Sequence, residues 1–211
     1  MLGHRLLGPF ALALCIAGCR DEIGPTPTAL QPPLASVASH TGVHILRQSR
    51  TAPRLNAYRA SFWARRGAQT TLFLNYRPAP GQSSGDPFLR FRIPINGLVA
   101  GANGVPLDRG DSVHITLTID SLSFVVDFQP SGVAFSTSSP ATLALWYENA
   151  NPDLNGDGVV DGTDRMLEQQ LAIWGRGTKT DAWRQLASKN DTMQQYVASS
   201  VYHFSQYAVS W

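Results

Sequence analysis

From residue 51 onward the chain is a series of short runs rich in Val, Ile, Thr and aromatic residues, separated by Gly, Pro, Asp, Asn and Ser. That texture belongs to strands joined by turns. The run SVHITLTID, 112–120, alternates cleanly. Val113, Ile115, Leu117 and Ile119 fall on one face, and His114, Thr116 and Thr118 on the other, which is the period of a half-buried strand. Strands are predicted at 59–65, 70–76, 88–93, 112–119, 123–128, 142–147, 171–174, 183–186, 196–203 and 207–211. Helical spacing is confined to 165–170, with a single turn near 188–193. No fixed-period repeat runs through the chain. Many short strands with regular turns make the fold mainly β, a sandwich or a barrel, and an antiparallel β-sandwich is the expectation.

The first fifty residues have a different pattern. Residues 1–18 carry His4 and Arg5, then an apolar run from Leu6 to Ile16 broken only by Gly8 and Pro9. The run is too short to span a bilayer and has the size of a signal-peptide core. It ends Ile16-Ala17-Gly18-Cys19. This resembles the bacterial lipobox, in which the Cys thiol takes a diacylglycerol and becomes the new N-terminus after cleavage. The resemblance implies lipidation at Cys19 and a membrane anchor through buried methylenes, each contributing about 0.8 kcal/mol. An ordinary secretory signal with a coincidental Cys is the alternative. Arg20, rather than Asp, follows Cys19, which by the same resemblance places the anchor in the outer membrane of the cell envelope. Residues 19–50 then form a tether punctuated by Pro25, Pro27, Pro32 and Pro33. Val43-His44-Ile45-Leu46 is a possible short first strand near its end. The expected organisation is therefore a signal peptide (1–18), a lipidated tether (19–50) and one β domain (51–211).

Composition adds mostly exclusions. The 211 residues are 43% hydrophobic and 15% charged, with a net charge of +2 and no block of like charge. Nucleic-acid binding is not expected of such a chain. Cys15 lies in the segment to be removed, so the mature chain keeps only Cys19 and forms no internal disulfide. Catalysis has little to work with. His4 falls in the signal segment, His40 and His44 in the linker region, and His114 and His203 in the β domain; no Ser sits in a G-x-S-x-G elbow, and Glu22, Glu148 and Glu168 are the only Glu residues. The chain is expected not to be an enzyme. The five Trp (63, 146, 174, 183 and 211) admit a sugar-binding platform, but Trp146, Trp174 and Trp183 fall in predicted strands, where core packing is the commoner role.

The C-terminal half contains Phe128-Gln129-Pro130-Ser131-Gly132-Val133-Ala134-Phe135 leading into Pro140-Ala141-Thr142-Leu143. Leu171-Ala172-Ile173-Trp174, Ala182-Trp183-Arg184-Gln185-Leu186 and His203-Phe204-Ser205-Gln206-Tyr207-Ala208 follow. From about Phe88 to Trp211 this order resembles the ZU-type β-sandwich domain of ankyrins and netrin receptors, also present in bacterial surface proteins. The resemblance implies a sandwich and a structural, non-catalytic role for His203. The departure from it is an insertion, 151–170.

That insertion holds the one motif with a mechanism. Residues 153–164 read DLNGDGVVDGTD. Oxygen side chains stand at positions 1, 3 and 5 (Asp153, Asn155, Asp157), with Gly158 at 6 for the sharp turn. Val159 at 7 offers its carbonyl, Asp161 stands at 9, and Asp164 closes the set at 12. This is the spacing of an EF-hand calcium loop, because a hard dication takes six to eight oxygens that alternating positions on a tight loop can supply. Without the cation, four carboxylates repel one another. Val160 at position 8 is expected to pin the loop to its neighbour, and a helix is expected to begin near Thr163 or Asp164 and run through Gln170. Two departures stand out: Asp instead of bidentate Glu at position 12, and Asn151-Pro152 where a preceding helix would be. Both make the segment resemble one half of a dockerin, without its second half. A shorter ligand at position 12 puts the affinity near the extracellular class, on the order of 10⁻⁴ M.

These features point to a non-catalytic surface lipoprotein in which calcium stabilises a β-sandwich used for adhesion or assembly. The alternative is a calcium-dependent module that binds glycans or a dockerin-type protein partner.

Overall fold

The computed structural model describes residues 42–211. In chain order the strands begin with β1 (Arg59–Arg65), β2 (Thr70–Asn75), β3 (Pro87–Ile93) and β4 (Leu98–Ala100). A 3-10 turn at Ala102–Gly104 precedes β5 (Ser112–Ile119), β6 (Val125–Gln129), β7 (Ala134–Phe135) and β8 (Ala141–Trp146). The helix α1 (Gly162–Glu168) then leads to β9 (Ala172–Arg176), β10 (Arg184–Gln185), β11 (Ser188–Asp191), β12 (Tyr196–Val201) and β13 (Gln206–Ser210).

The strands form a six-stranded sheet ordered β1-β5-β6-β13-β9-β10, a five-stranded sheet ordered β11-β12-β8-β3-β2, and a two-stranded ribbon of β4 and β7. Every ladder is antiparallel. The fold is mainly β, as the alternation predicted. β5 shows why: Val113, Ile115, Leu117 and Ile119 are buried, while His114, Thr116 and Thr118 face outward. The two inner faces meet through aromatic side chains. Phe91 of β3 lies 4.8 Å from Phe128 of β6, Phe88 of β3 lies 5.5 Å from Phe124, and Phe128 stacks on Phe204 at 5.0 Å, all between ring centroids. Such ring pairs add about 0.5–1.5 kcal/mol each beyond the area they bury.

The residues that carry the ZU-type resemblance have core positions: Val133, Phe135, Leu143, Phe204 and Tyr207 are buried. His203 is exposed. Its backbone carbonyl accepts the Tyr207 hydroxyl.

Several details differ from the sequence expectations. The domain starts before residue 51. Leu46 is 1% exposed, its N–H donates to Val209 O at 2.9 Å, and its carbonyl accepts from Phe124 N at 3.0 Å. Bridges Ile45↔Ser210, Arg47↔Ser123 and Gln48↔Ala150 flank it. The segment Val43-His44-Ile45-Leu46, a possible short strand from its sequence, thus pairs through isolated bridges rather than as a full strand. The turn expected at 188–193 is strand β11, an edge strand paired to β12. Its Ser188 Oγ accepts from Ile173 N and donates to Leu186 O, each at 2.9 Å. A polar strand held by hydroxyls has no apolar period to read. The short β4–β7 ribbon likewise carried too few residues to register. The indoles also differ: Trp146, Trp174, Trp183 and Trp211 are only half-buried, and Trp63 is 66% exposed. Trp146 and Trp174 sit on outward positions of their strands, between buried Leu145 and Tyr147 in the first case and buried Ile173 and Gly175 in the second.

Among the described residues no helix is long and apolar enough to cross a membrane. Cys19, the signal segment 1–18 and the tether up to residue 41 lie outside the described residues.

Candidate metal centre

β8 ends at Trp146 and β9 begins at Ala172, so the predicted insertion sits between two strands of opposite sheets. A turn, Ala150 N to Tyr147 O at 2.9 Å, redirects the chain, and Asn151 N donates to Arg47 O at 2.9 Å. The loop is thereby joined at its start to the segment around Leu46.

Inside the loop each predicted ligand side chain engages the backbone. Asp153 Oδ1 accepts from Gly156 N at 2.8 Å and its Oδ2 from Gly158 N at 2.9 Å. Asn155 Oδ1 accepts from Asp157 N at 3.0 Å, and its Nδ2 donates to Asp157 Oδ2 at 2.8 Å. Asp157 Oδ1 accepts from Val159 N at 2.8 Å. These bonds curl the backbone into successive turns, and Gly158 takes φ +89°, the left-handed conformation required of position 6. The loop closes on α1 through a capping box. Asp161 Oδ1 accepts from Thr163 N at 2.7 Å, and Asp164 Oδ2 accepts from Asp161 N at 2.9 Å. Such a box satisfies N–H groups that the first helical turn leaves unpaired. The helix starts one residue earlier than expected and stops at Glu168, two residues short of Gln170.

Asp164 ties the two ends of the loop together. It is 3% exposed, and its Oδ1 accepts from Leu154 N at 2.7 Å and Asn155 N at 3.2 Å. The N–H of Asp161, then those of Asn155 and Leu154, hold its carboxyl below the usual carboxylate range against the opposing effect of burial.

The side chain that seats the loop is not the expected one. Val160 is 59% exposed and pins nothing closely. Leu154, at position 2, packs against the hydrophobic core instead. Leu154 is drawn inward by the two N–H bonds to Asp164 at its own and the next residue.

The donors fit a hard cation in kind: carboxylates, an amide oxygen and a backbone carbonyl from Val159. A carboxylate oxygen carries two lone pairs, so one that accepts an N–H keeps capacity for a metal. Among the described residues no three Asp, Glu, His or Cys side chains converge on one point; the carboxylates spread onto N–H groups, which is how like charges lower their mutual repulsion.

No family model, curated protein or solved structure matches this chain.

Proposed function

We propose that the chain is a non-catalytic lipoprotein of the bacterial cell envelope, anchored through Cys19, whose calcium loop stiffens a β-sandwich used for adhesion or assembly. The observation that supports this is the curled backbone of the loop, where Asp153, Asn155, Asp157 and Asp161, at the spacing of calcium ligands, each accept a nearby N–H. Asp153, Asn155, Asp157, Asp161 and Asp164, with the Val159 carbonyl, would hold the ion. Calcium supplies a cross-link there between the loop and the start of α1. The chain's own contribution is to seat that link on the core through Leu154 and Asp164.

The exposure of the indoles favours a second reading, a binding module for glycans. Trp63 at 66% exposure and four half-buried Trp are more accessible aromatic surface than packing alone requires.

Cell fractionation tests the anchor: the native chain is expected in the membrane fraction and Cys19→Ala in the soluble one. Equal partition of the two would remove the lipoprotein assignment. Asp157→Ala is expected to abolish calcium binding while the sandwich keeps its far-ultraviolet dichroism.

A further inference from the structure

A groove of about 980 Å³ lies on the outer side of the six-stranded sheet. Its floor includes Val125 of β6 and Gln206 of β13, and the segment 43–47 forms one wall. At one end stand Asp153 and Gly156 of the loop.

Two indoles line it, Trp183 and Trp211, and each is held by a planar partner. The Arg176 guanidinium lies 4.4 Å from the Trp183 ring centroid. Arg176 is itself fixed, since its Nε donates to Gln206 Oε1 at 2.7 Å across the β9–β13 ladder. Trp211 stacks on His44 with 5.6 Å between centroids and 20° between planes. A stacked partner covers one face of a ring, and both rings and both partners line the groove. Ordered aromatic rings lose little entropy when a ligand stacks on them.

The polar groups narrow the ligand. Arg176 and Gln206 offer donors and acceptors beside Trp183, and Asp120 also borders the groove. A lipid tail would meet charged side chains in an open trough. A polyanion would meet Asp120 and Asp153 alongside the cations. A sugar ring has an apolar C–H face for an indole and a rim of hydroxyls that both donate and accept, which matches this mixture. An open trough lined by two indoles suits a chain of sugar units.

We propose that this groove binds an oligosaccharide, with Trp183 and Trp211 as stacking surfaces and Arg176 and Gln206 bonding the hydroxyls. This names the partner for the adhesive role proposed above and rests on that reading for its biological purpose.

The test uses the full chain. Short oligosaccharides of β-linked glucose, β-linked N-acetylglucosamine and α-linked mannose are titrated in, followed by tryptophan fluorescence and calorimetry. Saturable binding of at least one is expected. Trp183→Ala and Trp211→Ala should each weaken it about tenfold, the scale of one lost aromatic contact. Trp183→Phe should recover most of the loss. Arg176→Gln, a surface change, should weaken binding several-fold. Phe73→Ala, which removes an exposed ring outside the groove, should leave it unchanged. Binding of none of the three, or equal binding by the Trp183→Ala and Arg176→Gln variants and the native chain, overturns the proposal. Calcium calorimetry on the same sample separates the two readings. Calcium binding without oligosaccharide binding overturns the groove alone; the reverse overturns the loop alone.

Discussion

Gly158 and Gly132 both occupy the left-handed region, at φ +89° and +83°, yet their surroundings differ. A Cβ on Gly158 meets nothing within 4 Å, whereas on Gly132 it falls 2.6 Å from Asn103 N and 2.7 Å from Asn103 Cα. Gly158→Ala should therefore cost only the backbone preference, about 1–2 kcal/mol. Gly132→Ala should cost clearly more, because backbone must move. Chemical denaturation of the two variants checks the order. The phenols give a second test. Burial pushes Tyr207 up to about 12 and raises Tyr76 and Tyr147 as well. An acid whose folded pKa stands above its unfolded value stabilises the fold fully below the unfolded value and loses that contribution as pH rises through the folded one. Stability should thus hold up to about pH 10, the unfolded phenol value, and fall toward pH 12. Ultraviolet titration should show these phenolates appearing together with unfolding; smooth ionisation near pH 10 in a folded chain would contradict their burial.

At the scale of elements, the packing face of each strand decides which substitutions matter. Phe128 is fully buried, in contact with Phe91, Phe204 and Tyr207, so Phe128→Ala should cost about 3–5 kcal/mol. Phe73, 58% exposed on β2, should cost about 0.5 kcal/mol or less. Leu46→Ala should cost about 2–5 kcal/mol although it lies in what composition marks as tether, and a melting curve decides it. These contrasts show what was legible. The alternation of β5 gave its inner face because a sheet with one dry side writes period two into the chain. The 153–164 spacing gave the loop because its residues are local and each bonds within a few positions. The core role of Leu46, β11 and the groove were hidden for the opposite reason. Leu46 ends the short run Val43-His44-Ile45-Leu46, legible as a possible strand, but its partners Val209 and Phe124 lie far along the chain. β11 is stitched by Ser188. Trp183 and Trp211 reach one surface only through the β10-β9-β13 register, which no local pattern encodes.

At the scale of the molecule, the loop and its helix join the sandwich through Leu154 against the core, Asn151 N on Arg47 O and Asn190 Nδ2 on Glu168 O, while Asp164 ties the loop to itself. A cation bound by the loop would restrain the sandwich through these joints. The most direct test is calcium calorimetry on the chain after chelation, with a melting curve alongside. One site with a dissociation constant on the order of 10⁻⁴ M and a melting temperature that climbs with free calcium by mass action are the predicted results. No heat and no shift up to about 10 mM calcium, beyond the weak extracellular class, would contradict the account and leave 153–164 as a hydrogen-bonded turn.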